Sequence, residues 1–288
     1  MPTISAETLA AANAKSRRLR ELIRAPRILV MPGAYDVLSA ILFEALGFGA
    51  IQGASGGIQA AYGLRDDELL GLERTAAIYK EMADAVSVPV NADGERGYGG
   101  PEAMARTVGR FVAAGAAGMN LEDSESHAPG APMRLVPMEV MVAKVRAVME
   151  ARRALGSEFF LNARVDVFGT GVSHTEGMTE AIERGNAYAE AGADCIFFFR
   201  PPGAEGIRTL VREVQAPVSI LATADSPPVA ELEALGVARV SYGTAFARAA
   251  ITAVKRLAEE LLRGGNPGPL LREAIPHPDL QVLLRGRG

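Results

Sequence analysis

The segment PVNADGERGYGG, residues 89–100, places two carboxylates in a glycine-rich loop directly after an apolar run. Asp93 ends the run and Glu95 follows it, while Glu122 and Asp123 end a second run, GMNLED. Clustered carboxylates repel one another unless a cation lies among them. Oxygen ligands without nearby His or Cys suit Mg²⁺ or Mn²⁺ better than zinc. We therefore predict a hard-metal site at Asp93, Glu95 and Glu122.

These acids also have a purely structural interpretation. Asp93 and Asp123 are placed where they could cap the helices that follow, or pair with Arg96. For Asp123 this alternative is as good as a role near the metal. Mg²⁺ usually takes only one or two protein carboxylates directly and keeps several waters, so the remaining acids would hold those waters.

A basic residue, Arg164, lies inside the apolar run FFLNARVD. A guanidinium in a buried strand is costly without an anion. Its planar fork suits the carboxylate or phosphonate of a substrate, although an internal ion pair with Glu122 or Asp166 is the alternative. Backbone N–H groups at 55–57, in the stretch ASGG, could bind an oxyanion, or this stretch could be a plain tight turn.

Short β-rich runs recur along the chain and must position these side chains. Eight of them are present, at residues 28–33, 49–55, 88–93, 118–123, 159–166, 195–200, 217–222 and 238–243. Most are continuously apolar, which is typical of parallel strands covered on both faces, and segments with helical spacing separate them. This alternation predicts an α/β fold, and eight units favour a closed (β/α)8 TIM-type barrel. The alternative is an open doubly wound sheet, but no G-x-G-x-x-G follows the first run.

In such a barrel the carboxyl ends of the strands form the active-site face. All eight runs become polar at or just past that end. The fold therefore predicts that Tyr35, Ser55, Asp93, Glu122 and Arg164 meet on one rim.

The composition limits the classes of function. The chain has 288 residues, 49% of them hydrophobic, and a net charge of −4, which argues weakly against a nucleic-acid binder. No run is long enough to span a membrane, and the first residues lack the apolar core of a secretory signal. The single cysteine, Cys195, fits a reducing compartment, so we expect a cytoplasmic protein. We expect an N-terminal helix over 1–24, the barrel with its terminal helix over 25–264, and a Gly- and Pro-rich tail over 265–288.

These motifs resemble those of the isocitrate lyase/phosphoenolpyruvate mutase superfamily, from MPGAYDVLSA (31–40) to SYGTAFARAA (241–250). NADGERGYGG is similar to the family's A-D-x-D-x-G-Y-G loop, with Glu95 where a second aspartate is usual. NLEDS matches the metal-linked Glu-Asp pair, NARVDVF the arginine strand that binds a carboxylate, and ASGG the substrate-binding turn. YGLRDDELL resembles the segment whose acid, here Asp66, helps to hold metal-bound water.

The resemblance implies Mg²⁺ (or Mn²⁺), small 2-oxo or 2-hydroxy acids and chemistry through an enolate. It also implies that the C-terminal helix of the barrel is swapped between paired subunits, as a homodimer or a dimer of dimers (homotetramer). The candidate metal site comprises Asp66, Asp93, Glu95 and Glu122. The candidate substrate site comprises Tyr35, Ser55, Gly56, Gly57, Asp93 and Arg164. The candidate catalytic residues are Glu122, His127 and Arg164.

The chain departs from the family after the fourth strand. Residues 124–136, SESHAPGAPMRLV, lack the Cys of the lyases' K-R-C-G-H loop and the K-T-N of the mutases. His127 is the obvious titratable acid there, and it is either the general acid or a loop residue without a chemical role. Ser219 stands where an asparagine is frequent.

We expect a Mg²⁺-dependent carbon–carbon lyase that acts on a small di- or tricarboxylate. The alternatives are a phosphonomutase or phosphonopyruvate-cleaving enzyme, an oxaloacetate-type decarboxylase or hydrolase, and a 2-oxo acid binding protein with little turnover.

Overall fold

The fold is a parallel β-barrel surrounded by helices. We analysed a computed structural model, which describes residues 3–125 and 131–284. The strands are β1 (Leu29–Met31), β2 (Gly33–Ala34), β3 (Ile51–Gly53), β4 (Val90–Asp93), β5 (Gly118–Glu122), β6 (Phe160–Val165), β7 (Cys195–Phe198), β8 (Val218–Leu221) and β9 (Arg239–Ser241). All pairings are parallel, in the order β1-β9-β8-β7-β6-β5-β4-β3-β2.

The first predicted strand is split in two at Pro32, which has no N–H to donate. Its first piece, β1, pairs with β9, and its second piece, β2, pairs with β3, so this strand joins the two ends of the sheet. The carbonyl of Pro32 still accepts a hydrogen bond from the backbone N–H of Gln52 at 3.0 Å. The predicted (β/α)8 barrel is therefore confirmed, while the swap of its last helix stays a prediction.

The helices are α1 (Ala6–Arg24), α2 (Val37–Ala45), α3 (Ser55–Ala61), α4 (Gly71–Ala85), α5 (Met104–Ala113), α6 (Met138–Leu155), α7 (His174–Glu190), α8 (Gly203–Glu213), α9 (Val229–Ala234), α10 (Ala245–Gly264), α11 (Gly268–Glu273) and α12 (His277–Leu283). Asp36, at the rim after the first strand, has a structural role in the helix that follows it. It caps α2 by accepting from the backbone N–H of Ser39 at 2.7 Å, in a reciprocal capping box.

Helix α1 closes the N-terminal end of the barrel. Its Leu19 and Ile23 pack with Met31, Phe160 and Cys195 in a small apolar cluster. Burial raises the pKa of the Cys195 thiol to about 12. A thiol in this state is a core residue rather than a nucleophile.

The C-terminal segment, predicted only as a tail, contains the two short helices α11 and α12. Their prolines lie at the first turn, where a missing N–H leaves no intrahelical bond unmade. The Gly and Pro residues therefore start these helices as well as ending α10. Within the described ranges, no helix is long and apolar enough to cross a membrane.

Candidate active site

A cavity of about 830 Å³ opens at the carboxyl ends of the strands. Its walls include most of the residues that the sequence selected: Ser55, Gly56, Asp66, Asp93, Glu95, Glu122 and Arg164. Two predicted substrate contacts, Tyr35 and Gly57, do not line it. Gly57 instead backs onto Tyr35, whose Cβ would lie 2.9 Å from a Cβ built on the glycine.

Asp93, the last residue of β4, is held in place by three neighbours. Its carboxylate accepts a hydrogen bond from the Ser55 hydroxyl at 2.7 Å and one from the backbone N–H of Glu95 at 3.3 Å. Its own backbone N–H donates to the Tyr79 hydroxyl at 2.9 Å. Burial raises the pKa of Asp93, and the negative charge of Glu122 raises it further. The site is therefore short of positive charge around this carboxylate.

Glu95 and Asp66 share one amide partner, Gln59 on α3. The Gln59 side-chain N–H₂ donates to Asp66 at 3.1 Å and to Glu95 at 3.3 Å. Burial raises the pKa of Glu95 to about 8 and that of Asp66 to about 6, and the charge of Asp93 adds to both shifts. Glu95 also has a left-handed backbone, with φ of 46°, in which a non-glycine residue is uncommon.

Arg164 makes the internal ion pairs that were the alternative to substrate binding. Its guanidinium contacts Glu122 at 2.6 Å and Asp166 at 2.7 Å, and it lies over the ring of Phe199 at 4.3 Å from the centroid. Glu122 is the register partner of Arg164 across β5 and β6. The arginine still lines the cavity, so its two carboxylates fix it at the wall where a substrate would bind.

Asp123 belongs to a buried network behind the cavity. Its carboxylate accepts from the Tyr188 hydroxyl at 2.7 Å, from Arg184 at 3.2 Å and from the backbone N–H of Asp166 at 2.9 Å. Arg184 also donates to the carbonyl of Val136 at 3.0 Å. Asp123 therefore has structural partners, but they are neither the helix cap nor the pair with Arg96 that the sequence offered as the alternative to a role near the metal.

The base of the segment 124–136 is an antiparallel bridge between Ser124 and Leu135. The Ser124 hydroxyl donates to Glu122 at 3.1 Å. His127, the candidate general acid, lies outside the described residues, so its role stays a prediction.

A buried arginine that the sequence did not single out lies in the barrel interior. Arg239 of β9 donates to Ser219 at 2.9 Å and to Gln52, and burial lowers its pKa to about 10. Ser219 is its register partner on β8.

The acids fit a metal that keeps most of its waters. Across residues 3–125 and 131–284, no three His, Cys, Asp or Glu side chains are close enough to cage an ion. Mg²⁺ does not require such a cage, because one or two carboxylates and several waters satisfy its octahedral shell. The donors are all hard oxygens, and their raised pKa values result from burial and from mutual repulsion that a cation would relieve.

The packing of this site requires that residue 56 has no side chain, and a substitution of Gly56 tests this requirement. A Cβ at this position would overlap the carboxylate of Asp66. We expect Gly56→Ala to displace Asp66 and to lower kcat/KM by about 100-fold, as a shift of about 1 Å in an active site can. Gly49→Ala is the matched control, because a Cβ there meets only Leu22 at an ordinary 3.7 Å. Equal activity of the two variants, measured by steady-state kinetics, would contradict the prediction.

The geometry defines a barrel enzyme with an acidic, metal-compatible rim, and comparisons with known proteins identify its family. The family described as phosphoenolpyruvate phosphomutase matches residues 19–262. The 2,3-dimethylmalate lyase of Eubacterium barkeri is 34% identical over 238 residues, which cover 79% of each protein. The probable 2-methylisocitrate lyase 2 of Corynebacterium glutamicum is 31% identical over 260 residues, or 87% of this chain and 82% of that protein.

One of the similar solved structures contains a metal ion. The crystal structure of a phosphonopyruvate hydrolase in complex with oxalate and Mg²⁺ superimposes with a TM-score of 0.81 at 29% identity. The match covers 93% of this chain and 94% of that one. The chain belongs to the isocitrate lyase/phosphoenolpyruvate mutase superfamily, as its motifs predicted, and it is an enzyme of the lyase type.

Proposed function

We propose that the protein is a Mg²⁺-dependent carbon–carbon lyase that acts on a small 2-hydroxy or 2-oxo di- or tricarboxylate through an enolate. The supporting observation is that four acids and Arg164 line one cavity at the carboxyl ends of the strands. Two relatives above 30% identity are named as a 2,3-dimethylmalate lyase and a probable 2-methylisocitrate lyase.

The position of each side chain in the cavity suggests a separate role for it. Asp93 would hold Mg²⁺, with Asp66, Glu95 and Glu122 holding its waters. When bound, the ion would supply positive charge at the enolate oxygen. The N–H groups of Ser55 and Gly56 lie in the first turn of α3, where helix geometry gives them no intrahelical acceptor, and they would donate to the same oxygen.

The proton transfers need an anion holder and an acid. Arg164, fixed by Glu122 and Asp166, would hold a substrate carboxylate at the cavity wall. Glu122 would in turn be positioned to accept a proton from a substrate hydroxyl. His127 would return the final proton to the enolate, in place of the cysteine of the related loop.

A phosphonopyruvate-cleaving activity is the second candidate, because a relative of this activity shares the fold at 29% identity. The missing K-T-N sequence after β5 counts against a mutase. Phosphate or phosphonate release would favour this candidate over carbon–carbon cleavage.

A substrate panel tests the proposal. We would measure 2-oxo acid or glyoxylate release from isocitrate, methylisocitrate, dimethylmalate, oxaloacetate and phosphonopyruvate, with Mg²⁺ and with EDTA. Mg²⁺-dependent cleavage of one of the first three is the expected result. Cleavage of oxaloacetate alone would keep a carbon–carbon bond but change the reaction to a decarboxylation or hydrolysis, and cleavage of phosphonopyruvate alone would replace the proposed bond by a carbon–phosphorus bond. Metal-dependent binding of a 2-oxo acid without any turnover would leave a binding protein.

We also propose that two copies pair through the segment α10–α12, as a homodimer or a dimer of dimers. None of the described side chains of α10 is buried. Ile251, Val254 and Leu262 are 64%, 59% and 87% exposed. Apolar side chains this exposed along one helix are typical of an interface.

If two copies pair through α10, charged side chains introduced on this helix should separate them. Wild type is expected to elute at two or four times 30.3 kDa in light-scattering chromatography. Ile251→Glu with Val254→Glu is expected to reduce the mass to that of one chain, because two buried charges would oppose the contact. Arg208→Glu, on the exposed face of α8, is the control and is expected to keep the wild-type mass. A monomeric wild type would refute the pairing.

A further inference from the structure

A row of buried polar side chains crosses the interior of the barrel. It runs from Arg239 on β9 to Gln52 on β3, Asn91 on β4 and Asn120 on β5, and we term it the amide relay. None of the four residues is more than 4% exposed. Gln52 and Asn120 also line the cavity. The relay therefore connects a buried cation with the space in which a ligand would bind.

Arg239 sets the direction of the hydrogen bonds in the amide relay. A guanidinium group has only donors, so the Gln52 atom that faces it must be the oxygen Oε1. The same oxygen accepts from the side-chain nitrogen of Asn91 at 2.9 Å. That nitrogen also donates to Oδ1 of Asn120 at 3.0 Å. Each amide is therefore fixed in one of its two orientations by the residue before it.

Asn120 ends the relay with a donor that faces the cavity. Its oxygen Oδ1 accepts a second hydrogen bond from the side chain of Asn162 at 2.8 Å, so both neighbouring asparagines use the same atom. In the part of the chain that the structure describes, no residue accepts a hydrogen bond from Nδ2 of Asn120. This nitrogen is not among the buried side-chain atoms that lack a partner. It is therefore accessible from the cavity, which Asn120 lines.

The free N–H₂ group lies next to the acids of the site. Asn120 is the register partner of Asp93 across β4 and β5. Glu122 lies two residues further along β5, and alternation in a strand places it on the same face. Ionised carboxylates only accept hydrogen bonds, so Asn120 is a donor among acceptors. A ligand oxygen is the partner that this donor lacks.

We propose that the Asn120 amide donates a hydrogen bond to an oxygen of the bound 2-oxo acid, and that Arg239 is a positioning residue that fixes this amide through the relay. This inference rests on the proposed function, which places a 2-oxo or 2-hydroxy acid in the cavity. An amide has nearly the same shape after a half turn, so its partners decide which atom faces the ligand. Burial lowers the pKa of Arg239 to about 10, so the guanidinium is still protonated at neutral pH.

Two substitutions of Asn120 test the donor. Alanine removes the amide, whereas aspartate keeps an oxygen for Asn91 and Asn162 and presents a second oxygen to the cavity. We would measure the dissociation constant of pyruvate by calorimetry on the full chain with Mg²⁺. Asn120→Ala is expected to weaken pyruvate about tenfold and Asn120→Asp about 100-fold. Asn186→Ala is the matched control, because this amide of α7 donates to the carbonyl of Glu213 at 3.1 Å and does not line the cavity.

Substitutions of Arg239 test the positioning role. Methionine fills much of the same space but cannot donate, so Gln52 is free to turn, and Arg239→Met is expected to weaken pyruvate about tenfold. Arg239→Lys keeps a donor and is expected to stay within about threefold of the wild type. If Arg239 acts through Asn120, the double variant Arg239→Met/Asn120→Ala binds pyruvate as weakly as Asn120→Ala alone. Effects that multiply in the double variant would mean that Arg239 supports the barrel as a whole, and would refute the positioning role.

The outcomes separate this inference from the proposed function. If the substrate panel shows Mg²⁺-dependent turnover but both Asn120 variants bind pyruvate like the wild type, the donor is refuted and the lyase proposal stands. A wild type that turns over a substrate without binding pyruvate has the same meaning. If the wild type neither binds pyruvate nor turns over any substrate, both proposals fail together.

Discussion

Asp93→Asn is expected to lower kcat/KM by about 1,000-fold and to abolish the response of the remaining activity to Mg²⁺. Asparagine keeps the shape of the side chain and can still accept the Ser55 hydroxyl bond of 2.7 Å. It removes the negative charge that would bind the ion and, because an amide nitrogen cannot accept, the 3.3 Å hydrogen bond from the backbone N–H of Glu95. The measurement is steady-state cleavage of the best substrate from the panel across a Mg²⁺ titration.

We expect Asp93→Asn to leave thermal stability unchanged or increased, although it lowers activity. Burial and the charge of Glu122 raise the pKa of Asp93, so its ionised form is disfavoured in the folded protein. Without metal, the neutral amide is therefore expected to leave the melting temperature equal or higher in EDTA. Asp84→Asn, an exposed position of α4 paired with Lys80, is expected to change neither activity nor melting temperature. Retention of Mg²⁺-dependent turnover in Asp93→Asn would remove Asp93 from the metal site.

The fold was predictable because parallel strands buried on both faces leave a simple signal. Each of the eight apolar runs contains a strand, and seven of the eight strand ends contribute a residue to one cavity, whereas Tyr35 and Asp36 after the first strand do not. The split at Pro32 follows from its missing N–H, which the sequence also contains. The sequence therefore predicted which strand carries each of these polar side chains.

The partners of those side chains were harder to predict, because they come from distant helices. Gln59 on α3 bridges two acids, Tyr79 on α4 holds the backbone of Asp93, and Tyr188 on α7 holds Asp123. Spacing within a helix shows which face is buried, but not which polar atom a neighbouring element will meet. The pairing of Glu122 with Arg164 was accessible, because aligned strand ends place them in register.

Arg164→Met is expected to lower the free energy of unfolding by about 3–5 kcal/mol at neutral pH and to abolish turnover. In the wild-type protein the guanidinium of Arg164 neutralises the negative charges of Glu122 and the fully buried Asp166. Methionine would fill much of the same volume but leave both carboxylates uncompensated. Urea denaturation in EDTA measures the loss. Arg110→Met removes an exposed pair with Glu73 and is expected to cost less than about 1 kcal/mol.

The pH dependence of that loss distinguishes a missing cation from a missing contact. Burial already raises the pKa of Asp166, and Arg164 opposes that shift, so the pKa rises further when the arginine is removed. A carboxyl whose folded-state pKa exceeds its unfolded value destabilises the protein above the unfolded value, near 4. The difference between wild type and Arg164→Met is therefore expected to shrink as the pH falls from 7 towards about 4. A difference that stays constant with pH would mean that Arg164 stabilises the barrel through packing on Phe199 rather than through charge.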